Sequence, residues 1–483
     1  MKILGHMFTI FTLVLILTHK SIAQNISSVS VEANFLRKIV CDFDSLSYYK
    51  GHFTPDLIDP FLCTHINYDF AILNQNTYQI DYGDQNVDIQ QNYYEKVTSL
   101  KSNNTNLKIL LSIGGWNDSA SSKYSALVAD ENKRSNFIST VIPFLKNHNF
   151  DGLNVAWEYP NCWQGNCGVN PNDTENFVTL LTELADAFDN ENLLLTASVS
   201  GIAEEIDAAY DVAAITNLVE HLNVMTYDFH GSWEKRTGHH AQFYQSPRDL
   251  NPSLNFDSAV NHWLNLGANS SKLVLGIPSY GRSYTLADKK INGFNAPALG
   301  PGKPGLETKE GGIIGFFEIC QDDSWILFPN DLIGSYSVKG DQWVSYDTPK
   351  MAVLKSRYIR DSGLGGAAYR FFYTDDYQGK CFGMSFPILR SIQYGLGDDD
   401  EKDFETSEDD TKNFLGKMQL AILIDENRSV VSREENKYDG VSDSDINLKL
   451  TETVRTDSGQ EEVKELKVNA GTLNFAFAAQ TIP

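Results

Sequence analysis

The polar and apolar positions of this chain fall into two alternating textures. Short runs rich in Ile, Val, Leu and aromatic residues recur, and the segments between them place apolar residues at helical spacing. The runs are Lys38–Phe43, His65–Ala71, Lys108–Gly114, Gly152–Glu158, Leu194–Ser200, His221–Asp228, Lys272–Tyr280 and Gly365–Phe371. In Ile109-Leu110-Leu111-Ser112-Ile113 nearly every position is apolar, as in a strand buried on both faces. Strands alternating with helices predict an α/β fold with a parallel sheet. Periodicity alone leaves open both a closed barrel and an open, doubly wound sheet.

The interval after Tyr280 is much longer than one crossover helix. It holds Gly300-Pro301-Gly302-Lys303-Pro304-Gly305 and then β-rich pieces near Gly315–Ile319, Ser335–Val338 and Gln342–Tyr346. This predicts a small α+β insertion over about residues 285–350 between the seventh and eighth strands. Beyond Gly397 the composition changes. Asp398-Asp399-Asp400-Glu401 opens an acidic stretch over 398–412, the composition of a solvated linker. The extension 413–483 has no cysteine, carries apolar Leu415–Ile424 and Leu473–Ala479, and offers no motif with a functional meaning.

Composition narrows the setting. Lys2, the apolar run Met7–Leu17 and Ser21-Ile22-Ala23 form a secretory signal over residues 1–23, so a secreted, extracellular protein is expected. The apolar run is too short to span a membrane. The 6 cysteines fit an oxidising compartment. Cys162 and Cys167 are close enough to close a small loop; a metal site is the competing reading, although no His cluster lies nearby. His239 and His240 also suggest a metal, but chain neighbours seldom converge on one ion, and a surface loop is expected. No metal and no cofactor is expected. A net charge of −24 makes nucleic acid and anionic membranes poor partners and is indifferent to an uncharged ligand. Sequons at Asn103, Asn172, Asn269 and Asn427 can carry glycans after secretion.

Function is written most clearly in Asp151-Gly152-Leu153-Asn154-Val155-Ala156-Trp157-Glu158-Tyr159-Pro160. It resembles the catalytic strand of glycoside hydrolase family 18, D-x-x-D-x-D-x-E followed by Y-P. Further segments resemble the same family in order: Leu62-Cys63-Thr64-His65-Ile66, Ser112-Ile113-Gly114-Gly115-Trp116-Asn117, Met225-Thr226-Tyr227-Asp228-Phe229-His230-Gly231-Ser232-Trp233 and Gly276-Ile277-Pro278-Ser279-Tyr280-Gly281-Arg282-Ser283. The resemblance covers about residues 38–396. It implies a (β/α)8 TIM barrel with the α+β insertion and an acidic C-terminal extension, and it settles the barrel against the open sheet. It implies disulfides Cys41–Cys63 and Cys320–Cys381.

The resemblance also implies a ligand, chitin or β-1,4-linked N-acetylglucosamine oligomers, and a substrate-assisted retaining mechanism. Glu158 would protonate the glycosidic oxygen, and the N-acetyl carbonyl of the sugar would attack the anomeric carbon. Tyr227 would hydrogen-bond the acetamide oxygen, with Asp228 and Met225 shaping the pocket. Gly115, Trp116, Asn117, Tyr159, Trp233, Tyr280 and Arg282 would line the sugar sites, aromatic faces suiting flat pyranose rings. Asn117 is also a sequon, inside a motif that should face ligand.

Several positions depart from the pattern. Asn154 and Ala156 stand where the family has Asp. The Asp two residues before the acid holds the acetamide N–H and shares a proton with the acid, which raises its pKa. Ala156 can do neither, and losing one such preorganised partner costs on the order of 10²–10³ in rate. Arg370 stands where a Trp usually floors the scissile sugar, and three roles are open to it: stacking on the sugar, pairing with Glu158 to lower its pKa, or a structural one. Asp42 and Leu46 replace aromatic residues of the first strand. Strand alternation puts Asn154, Ala156 and Glu158 on one side and Trp157 on the other, against a helix. Three expectations follow: a chitin-engaging protein with impaired hydrolysis through Glu158; a fully active endochitinase in which Asp151, Asn154 or a water replaces the missing carboxylate; and a growth-factor-like signalling protein on the same scaffold. The last draws on a partial likeness of Asp375-Asp376-Tyr377-Gln378-Gly379-Lys380-Cys381 and Phe386-Pro387-Ile388-Leu389-Arg390 to the imaginal disc growth factors.

Overall fold

Each of the eight apolar runs becomes a strand: β1 (Lys38–Asp44), β2 (His65–Leu73), β3 (Lys108–Gly114), β4 (Gly152–Ala156), β5 (Leu194–Ser200), β6 (Leu222–Met225), β7 (Leu273–Pro278) and β8 (Gly366–Arg370). The computed structural model describes residues 37–246, 251–397, 447–455 and 461–469. The signal segment, the acidic stretch, Asn427, Leu415–Ile424 and Leu473–Ala479 lie outside the described residues.

Successive strands pair in parallel, and β1 pairs with both β2 and β8, so the sheet closes on itself. Val40 sits opposite His65, and Lys38 opposite Gly366, in the closing register. The result is an eight-stranded parallel barrel. β3 and β4 are buried along nearly their whole length because the barrel interior covers one face and helices the other. The helices carry local start signals. Asp130 caps Glu131–Asn147 by accepting from the Asn132 and Lys133 amides, and Thr348 caps Pro349–Asp361 at Met351. Asn172–Asp189 turns Phe177, Leu180, Leu181, Leu184 and Phe188 inward, the spacing of a single helix face.

Four strands are shorter than the sequence suggests, and for two of them the difference moves site residues off the strand. β4 stops at Ala156 and β6 at Met225, so Glu158, Tyr227 and Asp228 stand beyond the strand ends. The insertion begins earlier than expected, with the strand Tyr280–Leu286 following directly on β7. That strand pairs antiparallel with Ala298–Pro301, Ile313–Gly315 and Gln342–Tyr346, and Ser335–Lys339 and Ile326–Phe328 continue the sheet. The piece expected as β around Gly315–Ile319 is largely the helix Phe316–Cys320. There the Glu318 carboxylate accepts from the Glu307 and Gly315 amides and rewards the turn.

Disulfides join Cys41 to Cys63, Cys162 to Cys167 and Cys320 to Cys381. The pair open to a metal reading thus closes a tight hairpin, Cys162 opposite Cys167 in register. In the extension, where the sequence offered no element of this kind, Asn447–Arg455 and Glu461–Asn469 form an antiparallel hairpin within a separate compact unit, Arg428–Pro483.

Candidate functional site

The ends of β3, β4, β6 and β7 bring the expected residues to the C-terminal mouth of the barrel. Gly114 and Gly115 let β3 turn there. A Cβ on Gly114 (φ +115°) would lie 2.3 Å from the Ala156 carbonyl oxygen, and one on Gly115 (φ +80°) 3.0 Å from the Phe70 ring. The Gly115 amide donates to that same carbonyl at 2.8 Å, tying β3 to the residue two before the acid. Trp116 and Asn117 follow in the open, and Trp116 is 49% exposed. Trp233 is 60% exposed, with the Arg282 guanidinium 5.3 Å from its ring. Two tryptophans of this kind at a barrel mouth are platforms for a flat, partly apolar ligand.

Glu158 is buried, and its amide donates to Ser119 Oγ at 2.9 Å. Burial, reinforced by the charges of Asp228 and Glu205 and opposed by Arg370, pushes its carboxyl up to about 7. The raised pKa expected from an Asp at position 156 is therefore present with Ala156 there, burial being its main cause. Trp157, on the opposite side, stacks on Tyr124 at 5.7 Å and meets Phe177 edge-on at 5.9 Å, against the helices Lys123–Val128 and Asn172–Asp189.

The two side chains among the substitutes allowed for the missing carboxylate are committed elsewhere. Asn154 is a hub of the barrel interior. Its Nδ2 donates to Ser112 Oγ (2.9 Å) and Ser198 Oγ (3.0 Å), and its Oδ1 accepts from Thr196 Oγ1 (3.0 Å) and Asn223 Nδ2 (3.3 Å). Asp151 lies at the other end of β4, accepting from the Ile109 amide and from Lys101.

Arg370 corrects another expectation. It makes no ion pair with Glu158, although its charge does work to lower that carboxyl. Its Nη1 donates to Asp42 Oδ2 at 2.8 Å and Asp69 Oδ2 at 3.2 Å, and its guanidinium lies 4.2 Å from the Phe371 ring centre. The physical reason is register. Cys41 faces Tyr369 across β1 and β8, which sets Asp42 beside Arg370. Burial and then repulsion from Asp42 push Asp69 well above the usual carboxylate range, with the Arg370 charge working against both.

Asp228 (φ +59°) is held in a clamp. Arg282 grips it through Nε at 2.8 Å and through Nη2, Tyr280 donates its hydroxyl at 3.0 Å, and His240 Nδ1 lies 3.3 Å away. Burial works against the charge, but Arg282 and His240 overcome it and hold Asp228 well below the usual range. Asp228 is thus a fixed anion and organises the wall, while Glu158 is the group able to hold a proton. Tyr227, Met225, Tyr159 and Tyr280 are buried beside it. The Arg370 guanidinium lies 5.7 Å from the Tyr227 ring.

The histidine pair is not on a surface loop. His239 and His240 are buried because their segment folds beneath the insertion, His239 Nε2 toward the Tyr346 carbonyl and His240 Nε2 toward that of Tyr280. Glu205, Gln164 and Asp69 were not singled out in the sequence. Gln164 bridges the small hairpin to the Glu158 carbonyl through its amide and to the Trp116 carbonyl through its side chain. A polar residue inside a disulfide-closed loop just after the acid was the available signal. Among the sequons, Asn103, Asn117, Asn172 and Asn269 are exposed.

The profile of Glycosyl hydrolases family 18 matches residues 38–370. This chain belongs to that family. It is 40% identical over 368 residues to probable chitinase 10 of Drosophila melanogaster, of which it spans 16%. It is 38% identical over 377 residues to human chitinase-3-like protein 2, covering 74% of this chain and 93% of that protein. Among solved structures, catalytic domain 2 of the Ostrinia furnacalis group II chitinase superposes with a TM-score of 0.73 at 39% identity, covering 74% of this chain and 96% of that one. Human YKL-39, described as a pseudo-chitinase with retained chitooligosaccharide binding, superposes with a TM-score of 0.69 at 37% identity, covering 75% and 100%.

Proposed function

We propose that this protein engages β-1,4-linked N-acetylglucosamine oligomers at the barrel mouth and hydrolyses them weakly or not at all. The observation that carries the reading is the state of Glu158. It is a buried carboxyl raised to about 7, next to Tyr227, with only a methyl group at position 156. The acid of the family's mechanism is kept, and the group that would hold the acetamide N–H and steady the developing positive charge is gone. Asn154 and Asp151 are already satisfied elsewhere, so the fully active reading has no residue to rest on. The human relative described as a pseudo-chitinase that keeps chitooligosaccharide binding is a precedent for the combination. Trp116 and Trp233 supply the apolar faces for binding.

The test uses purified protein with chitotetraose. Calorimetry is expected to show binding by the parent and by Glu158→Gln alike. A fluorogenic chitotriose is expected to show turnover that is slow or absent in the parent and absent in Glu158→Gln. Ala156→Asp is expected to raise turnover by about ten-fold or more. Rapid turnover by the parent would overturn the impaired reading, and turnover surviving in Glu158→Gln would remove Glu158 as the acid.

A further inference from the structure

Arg370 is held by an unusual edge. A guanidinium grips a carboxylate best through two parallel N–H groups, and the chain's other forks do so. Arg134 holds Glu183 by Nε and Nη2 at 2.9 and 2.8 Å, and Arg282 holds Asp228 by the same two nitrogens. Arg370 instead spends Nη1 on both Asp42 and Asp69. Its Nε and Nη2 have no partner among the described residues, and neither is sealed from solvent. The side chain is 15% exposed, and the rings of Phe371, Tyr227 and Phe70 surround it at 4.2, 5.7 and 5.9 Å. The vacant edge is therefore a fixed pair of donors in a largely apolar box beside the acid. A guanidinium that merely completed an ion pair would turn this edge toward the acids.

We propose that the Nε–Nη2 edge of Arg370 is a specificity-determining fork that donates to two adjacent oxygens of a neutral saccharide lying beside Glu158. The sugar is gripped by hydrogen bonds at the position where an aromatic floor would grip it by stacking. A neutral partner fits better than an anionic one. The Arg370 charge already faces two acids, and the chain carries −24 overall, so a carboxylate or sulfate would bring negative charge without compensation. A hydroxyl pair, or a hydroxyl with an acetamide carbonyl, supplies two acceptors and no charge. This rests on the chitooligosaccharide reading and adds to it how the ligand is recognised.

The experiment titrates chitotetraose into the parent, Arg370→Lys and Arg370→Met. Lysine keeps a cation over Asp42 and Asp69, and so the fold, but it offers one point donor in place of a fork. Both variants are expected to lose about ten-fold or more in affinity, with the unfolding midpoint of Arg370→Lys close to that of the parent. The Arg370 Nε–H resonance, identified by its loss in Arg370→Lys, is expected to shift downfield on chitotetraose addition, a change that a purely structural ion pair does not produce. An oligomer whose alternate sugars bear a lactyl carboxylate is expected to bind more weakly than chitotetraose. Parent-like binding by Arg370→Lys, or an unmoved Nε–H signal with ligand bound, overturns the fork and leaves the chitooligosaccharide reading intact. Tighter binding of the carboxylate oligomer overturns the neutral ligand. A parent that binds no chitotetraose overturns both.

Discussion

At the scale of single residues, the site separates two carboxyls by environment. Asp228 is pinned as an anion by Arg282, while burial leaves Glu158 raised from 4.5 to about 7. The consequence can be read in stability. A carboxyl whose folded pKa lies above its unfolded value is ionised first in the unfolded chain. Stability is thus full below 4.5 and is lost as pH rises toward 7. Glu158→Gln cannot ionise and escapes that loss. In urea unfolding the variant is expected to match the parent near pH 4 and to exceed it by about 3 kcal/mol at pH 8. Equal stability at both pH values would mean that Glu158 is solvated and of ordinary acidity. Sequence motifs located both carboxyls, because each sits in a motif with a fixed neighbour pattern. They did not give the partner of Arg370. Asp42 and Arg370 each replace an aromatic residue, on strands that adjoin only because the barrel closes, and a chain read in one dimension does not set β1 beside β8. Once closure is assumed, two opposite charges in aligned positions point to an ion pair.

At the scale of elements, the strands have two ends with different work. The C-terminal ends carry the site, and the N-terminal ends carry an acid-sensitive cluster. His65 begins β2, and its ring meets that of buried His221 edge-on at 5.3 Å. Neither ring nitrogen of His221 has a hydrogen-bond partner among the described residues. Burial first, then Lys38 and Lys108, lowers His65 from 6.5 to about 4, and burial with His65 and Lys38 holds His221 well below its usual range. A histidine lowered in the fold is neutral there while the unfolded chain takes up a proton, so stability is lost as pH falls below 6.5. His65→Gln is expected to be less acid-sensitive, gaining about 2 kcal/mol on the parent between pH 7 and 4.5. An unchanged difference between those pH values in denaturant titrations would place the acid sensitivity elsewhere. Strand positions were legible because runs such as Ile109–Ile113 admit only a doubly covered strand. Strand ends were not. Glu158 and Asp228 share the apolar context of their strands, and the chain leaves the ladder at Ala156 and Met225 with no change of local pattern to mark it. His239 and His240 looked like surface residues because nothing local announces that the insertion folds over them.

At the scale of the whole barrel unit, the insertion sheet is attached to the mouth in two ways. Its first strand runs straight on from β7 and carries Tyr280 and Arg282 onto Asp228. Its helix Phe316–Cys320 is tied by the Cys320–Cys381 disulfide to the segment after β8. The two attachments have different energetic characters. The disulfide spans 61 residues of sequence and limits the unfolded chain, which by loop entropy is worth about 4 kcal/mol. The clamp is local, charged and part of the barrel mouth. Replacing both cysteines with serine is therefore expected to lower unfolding stability by about 4 kcal/mol while chitotetraose affinity changes little. Arg282→Ala is expected to do the reverse, weakening the ligand more than the fold and letting the Asp228 carboxyl rise from its lowered range. Denaturant titration and calorimetry on the two variants separate these outcomes. If losing the disulfide costs as much affinity as losing Arg282, the wall is held in place by the distant crosslink, and the fixed anion at Asp228 is a consequence of the wall's position rather than its cause.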